Sequence, residues 1–220
     1  MPHHPSAASH PFTFAHFNPQ FDKLVEIYSC WGSSDFEGDF PRGVSERHRG
    51  LYVREALRRG YRFGLTASAD GHDGCAGAAN GPQSKHHHQY HFLGSGRAAV
   101  LCEELDRGSV YDALKARRCY ATTGTPMVLD FSLNGSVMGS ELPAFRGAPR
   151  LDVRVRGTNG LDYLEVVRNG RPLLTVPCHG AWEYELSYTD QGYDGGPASY
   201  FVKAVQVDRE AAWTSPIFLG

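Results

Sequence analysis

Two Asn-Gly pairs, Asn134-Gly135 and Asn169-Gly170, each lie between runs in which apolar and polar residues alternate. Asn and Gly both accept positive φ, so such a pair closes a two-residue hairpin whose twist matches that of its flanking strands. From about Met127 onward the chain is thereby committed to antiparallel pairing. The alternation predicts strands over Val128 to Leu133, Leu151 to Arg156, Tyr163 to Arg168, Pro172 to Val176, Trp182 to Tyr188, Tyr200 to Val207 and Trp213 to Leu219. Strands at this spacing predict a β-sandwich over residues 127–220, a second domain that covers and supports the first and shows no titratable cluster of its own.

Residues 1–126 follow a different rhythm. After an irregular opening to Pro19, Leu24 to Ser29 reads as a strand with Glu26 at its middle. Helical spacing follows from Val44 to Arg59, with Leu51, Ala56 and Leu57 apolar, Arg54, Arg58 and Arg59 late in the run and Gly60 as a stop. Phe63 to Ala67 reads as a buried strand. Strand, helix, strand in that order predicts a βα repeat and a parallel sheet that presents Glu26 and Asp70 near one end. With both faces of its strand covered, Glu26 is a buried charge that must be paired or metal-bound; on an edge strand it faces water. A further strand is expected over Ala98 to Leu101 and a helix over Gly108 to Arg118. Arg117 and Arg118 at that helix end either hold an anionic substrate or complement the helix dipole.

The strand ending at Ala67 runs into Ser68-Ala69-Asp70-Gly71-His72-Asp73-Gly74. Asp and His both ligate borderline divalent cations, and a D-x-H pair leaving the C-terminal end of a strand aims both into one site. Alternatively Asp70 caps a turn and His72 is solvated. Between Gly74 and Gly96 lies a long small-residue loop carrying His86-His87-His88, which binds metal, covers a site or is simply solvated; the last is the expectation.

The 22 basic and 24 acidic residues are interspersed and give a net charge of -2, which supplies no basic stripe for nucleic acid and no cluster for a lipid surface. No apolar stretch approaches a membrane span, and the first residues lack the pattern of a signal peptide. The five cysteines, Cys30, Cys75, Cys102, Cys119 and Cys178, form no C-x-x-C pair and read as reduced thiols, so a reducing, cytoplasmic compartment is expected.

Taken in order, several segments resemble the CehA/McbA-like branch of the polymerase and histidinol phosphatase (PHP) superfamily of metallohydrolases. They are Pro2-His3-His4, Val25-Glu26-Ile27-Tyr28-Ser29 with Trp31-Gly32-Ser33-Ser34, and Ser68-Ala69-Asp70-Gly71-His72. Downstream come Ala113 to Gly124, Leu129-Asp130-Phe131, Asn134-Gly135, Met138-Gly139 and Trp213-Thr214-Ser215-Pro216-Ile217. The resemblance implies an α/β plus all-β chain, a distorted (β/α)7 barrel followed by an antiparallel β-sandwich. It also implies a cluster of divalent zinc, manganese or iron ions at the C-terminal mouth of the barrel strands. Carried over by motif, His3 or His4 is the mid-barrel histidine, Glu26 the bridging carboxylate, and Asp70 and His72 the last ligand pair, with both also catalytic.

Members of this branch open with a strand ending in His-x-His, and no such pair stands near the start of this chain. The sequence therefore looks like the C-terminal part of such a protein, with a partial barrel at residues 1–126 that an upstream segment or a second copy completes. His16 is a candidate substitute ligand, with a surface histidine the expectation. The function the resemblance implies is hydrolysis of a small-molecule substrate, a phosphoester or an aryl carbamate or ester, through a metal-activated water. The alternative is a non-catalytic fragment that serves as a binding or interaction module.

Overall fold

The structure is a computed structural model and describes residues 1–7, 11–39, 48–70, 96–144 and 146–220. Its first part contains a 3-10 turn Phe14–His16, strands β1 (Leu24–Ser29) and β2 (Gly32–Ser33), helix α1 (Val53–Arg58) and strand β3 (Gly64–Ala67). Then come β4 (Arg97–Val100), α2 (Arg107–Lys115), β5 (Cys119–Thr122), β6 (Val128–Leu133), β7 (Ser136–Val137) and β8 (Glu141–Leu142). The chain closes with β9 (Arg150–Arg168), β10 (Arg171–Thr189), β11 (Ala198–Gln206), β12 (Ala211–Thr214) and β13 (Ile217–Leu219).

The β1–α1–β3 unit forms as its sequence pattern predicts. β1 and β3 pair in parallel with Val25 opposite Leu65 and Glu26 opposite Thr66, and every residue of β3 is buried. The helix is much shorter than the expected Val44–Arg59. Gly50 takes φ +84 and Tyr52 is extended at φ -73, ψ 153. The Glu55 carboxylate accepts the Tyr52 N–H at 3.1 Å, capping the helix where it begins. Residues 44–47 of the expected helix lie outside the described residues. Gly60 ends it as expected, at φ +85.

The remainder is mostly β, and all ten strands from β4 to β13 join one sheet, whose main path is β4-β5-β12-β11-β9-β6-β7. Both Asn-Gly turns adopt positive φ at both residues and join β6 to β7 and β9 to β10, as their composition requires. The expected strand pairs 151–156 with 163–168, and 172–176 with 182–188, are each one long strand. β9 gives its first half to β6 and its second half to β11, so the sheet curls through a bent strand instead of dividing into two separately strung sheets. At the bend the β9–β10 register jumps between Arg156 opposite Glu183 and Leu161 opposite Ala181. A Cβ at Gly160 would stand 2.7 Å from the Gly180 carbonyl oxygen, so only glycine permits this approach. The loosened backbone is held from the side, since Gln206 Oε1 accepts the Thr158 N–H at 2.7 Å and the Asn159 N–H at 3.2 Å.

Strands β4 and β5 come from before residue 127 and the other eight from after it, so the two parts of the chain share a sheet. They also share a core. Phe14, Val25, Ile27, Leu57, Phe63 and Leu65 pack with Phe201, Trp213 and Phe218 from the large sheet, and the Tyr28 and Trp213 rings stack at 6.0 Å. Each such side chain stabilises the fold by about 2 kcal/mol through burial. The edges of the small sheet are closed by local groups. Leu65 N–H donates to Ser215 Oγ at 2.9 Å, Cys119 Sγ–H donates to the Leu65 carbonyl at 3.4 Å, and Glu26 N–H donates to the Pro2 carbonyl at 2.9 Å. Cys30, Cys102, Cys119 and Cys178 are free thiols. Among the described residues no helix is long and apolar enough to cross a membrane.

Candidate metal centre

The bond from Glu26 N–H to Pro2 lays the start of the chain along β1. Next in line, His4 N–H donates to Glu26 Oε2 at 3.1 Å, and His3 Nδ1 meets the same oxygen at 2.5 Å. The other oxygen, Oε1, accepts the Ser68 hydroxyl at the end of β3. Glu26 is thus fully buried and satisfied on both sides.

Two residues beyond Ser68, Asp70 takes φ +51, an unusual backbone for a non-glycine residue that an Asp tolerates better than most. This turns its carboxylate back over the two histidines. His3 Nε2 lies 3.2 Å from Asp70 Oδ1 and His4 Nε2 lies 3.6 Å from Oδ2. His4 itself sits at φ +27, with its ring 3.8 Å from that of His3. Ligand atoms of His3, His4 and Asp70 all lie within 4.8 Å of one another. His4 Nδ1 is buried and has no hydrogen-bond partner among the described residues.

Burial disfavours charge on His3, but hydrogen bonds to Asp70 and Glu26 and the negative charge of both outweigh it and push its pKa up to about 10. The same burial, with His3 as a positive neighbour, pushes His4 down. Burial, followed by the Asp70 and Glu26 charges, pushes the nearby Cys30 thiol up to about 12, which keeps it protonated in the metal-free protein.

Of the residues expected at a site, His3, His4, Glu26 and Asp70 are brought together, and His72 and His86–His88 lie outside the described residues. Glu26, expected as a bridging carboxylate, holds His3 Nδ1, while His3 Nε2 faces Asp70. His16 is exposed on its 3-10 turn and takes no part. Arg117 and Arg118 are not at this corner. Arg117 lies near Gly64, at the other end of β3 from Asp70, and is tied to Glu141 Oε1 at 2.6 Å and to the Gly139 carbonyl at 3.2 Å. Arg118 is exposed.

Sequence reasoning missed a second charged cluster. Arg54 on α1 forms a two-pronged pair with Asp35 at 2.8 Å on each oxygen and also meets Glu165 on β9. Lys203 on β11 meets Asp39 and lies 3.7 Å from Asp35, while Trp213 Nε1 donates to Asp35 at 3.1 Å. Asp35 is fully buried, and Arg54 and Lys203 are almost so. Burial alone would raise the Asp35 pKa, but Arg54 and Lys203 hold it below the usual carboxylate range. Burial and the Asp35 charge push Asp39 the other way. The only sequence signal was Arg54, an arginine on the face shared with buried Val53 and Leu57.

Residues 78–142 match the protein family of unknown function DUF3604, a segment that includes β4 to β8 and α2 but none of the four clustered residues. The whole chain is similar to an uncharacterized protein of Chlamydia pneumoniae, 33% identical over 241 residues and covering 38% of that protein. Uncharacterized proteins of Chlamydia trachomatis serovar D and Chlamydia muridarum are each 32% identical to 94% of the chain, which covers 36% of either. The chain spans less than two fifths of the length of the curated relatives it matches. No solved structure matches it.

Proposed function

We propose that this chain carries part of the metal centre of a PHP-type hydrolase of the CehA/McbA-like branch, with a partial barrel in residues 1–126. The reading rests on one observation above the others, the convergence of His3, His4 and Asp70 within 4.8 Å at the C-terminal ends of two parallel strands. The donors fit a borderline divalent cation such as zinc, manganese or iron, being two imidazoles and a carboxylate. The Glu26–His3 contact fits too, because a carboxylate on Nδ1 fixes the tautomer and aims Nε2 outward. The buried, unpartnered Nδ1 of His4 supplies a second nitrogen in need of a partner.

A bound cation lowers the pKa of water and polarises a carbonyl or phosphoryl oxygen, which is the chemistry a phosphoester or aryl carbamate hydrolase needs. The chain's own residues divide the remaining work. Glu26 and Ser68 hold His3 in place, and Asp70, less buried than Glu26, is the carboxylate positioned to receive a proton at its Oδ atoms. Elemental analysis of purified protein tests the reading. One or more equivalents of metal, lost in Asp70→Ala and His3→Ala, is the expected result. Metal content indifferent to both substitutions overturns it.

A second reading, a non-catalytic interaction module, is favoured by the double contact of His3. Protonated, it donates to both Glu26 and Asp70 and offsets one of their two charges without any metal. Metal-free protein that resists zinc at equimolar concentration decides for this alternative.

A further inference from the structure

At the opposite end of β3 from Asp70, the turn between α1 and β3 faces the ends of β9, β10, β11 and β13 across a cleft of about 710 Å³. That volume suits a small organic ligand. Arg58, Arg59, Arg62, Arg168 and Arg171 all line it, and among the described residues no carboxylate or lysine side chain does.

Three of the five arginines are anchored from outside the cleft. Asp190 holds Arg168 at 2.7 Å and Glu141 holds Arg62 at 2.9 Å. Arg58 donates to the Gly170 carbonyl at 3.1 Å and lies 3.8 Å from Glu55. The other two have no carboxylate partner among the described residues. Among the described residues Arg59 donates to the Gly50 carbonyl, at 3.0 Å, with its guanidinium 5.3 Å from the Tyr61 ring centroid. The Arg171 side chain is exposed and makes no hydrogen bond or ion pair among the described residues.

We propose that this cleft binds a small organic molecule bearing phosphate, with Arg59 and Arg171 as its principal contacts. Two uncompensated guanidinium groups match the two charges of a phosphate dianion. Arginines as the charged side chains of the lining favour an anion with oxygens spaced for paired N–H donors. The anchored arginines add positive potential without having to give up their own partners. The cleft and the metal corner are separate sites, so this proposal does not depend on the metal reading.

The test is calorimetric titration of the full chain with inorganic pyrophosphate, in chelator so that no metal contributes. Arg59→Ala and Arg171→Ala are each expected to weaken binding by about tenfold, with Arg171→Lys recovering only part of the loss. Arg154→Ala removes an exposed arginine paired with Glu185 on the far half of β9 and should leave binding unchanged. Arg171 is exposed, so its substitution leaves the β9–β10 ladder and the circular dichroism spectrum intact. The proposal is overturned by wild-type protein that does not bind pyrophosphate, or by an equal loss in Arg154→Ala. Tighter binding of a hexaglutamate peptide than of pyrophosphate also overturns it, in favour of an acidic protein partner.

Discussion

Two clusters of buried charge flank the same small sheet, and they differ in what supplies the positive charge. Around Asp35 the cations are Arg54 and Lys203, groups that keep their charge at any physiological pH and are walled in by Trp213 and the large sheet. Around Glu26 and Asp70 the cation is His3, an imidazole whose side chain remains 42% exposed and can exchange its proton. Fixed cations make a fastening. A titratable cation makes a site, because the same negative field accepts a proton or a metal ion in its place.

The sharpest way to break this distinction is to remove one partner from each cluster. Arg54→Ala leaves Asp35 buried and Glu165 part-buried beside an empty space, and a loss of about 3–5 kcal/mol is expected from urea unfolding. Asp70→Ala, assayed in chelator, removes one of the two carboxylates that His3 contacts while His3 keeps Glu26, and should cost less than Arg54→Ala does. Equal losses from the two substitutions would erase the difference between fastening and site.

Metal affinity sharpens the comparison from the other side. Glu26→Gln keeps the shape of the side chain but weakens its hold on His3 Nδ1, and should reduce zinc affinity by about 10–100-fold in competition with a chromophoric chelator. Asp70→Ala should reduce it further. A Glu26→Gln effect larger than that of Asp70→Ala would place Glu26 among the direct ligands.

The clusters also fail at opposite ends of the pH scale. In metal-free protein the His3 pKa is raised from 6.5 to about 10, so its contribution is complete below 6.5 and is lost as pH rises through 10. The Asp35 pKa is lowered from 3.8, so its contribution is present above that value and lost on further acidification. Thermal melts in chelator should show a His3→Gln variant with a flatter alkaline limb and an unchanged acid limb. A variant that retains the full alkaline slope would show that His3 does not carry the proton.

The contrast also accounts for what was legible in the sequence. Glu26, Asp70 and the two early histidines could be read because each stands in a local pattern, a carboxylate within a strand or at its end and histidines in a short motif. The Asn-Gly hairpins were equally local. The Asp35 fastening was not legible, because its members come from a loop, α1, β9, β11 and β12 and meet only after the sheet has curled. The bend in β9 was hidden for a related reason. Gly157-Thr158-Asn159-Gly160 has the composition of a turn, and only the Gln206 side chain and the approach of Gly180 keep the strand running through it.

The smallest expected effect concerns Arg117, which the sequence offered either as a substrate contact or as a complement to the helix dipole and which the structure pairs with Glu141. Glu141 is 43% exposed, so water screens the pair and its contribution is about 1 kcal/mol or less. Arg117 also has positive φ, +62, which it keeps whichever side chain is present. Arg117→Ala should therefore lower the urea midpoint slightly and leave metal content untouched, while Arg117→Gly should recover part of the stability by relieving that backbone. Metal loss in Arg117→Ala, measured beside Asp70→Ala, would tie the two ends of β3 into one site and end the separation argued from their positions.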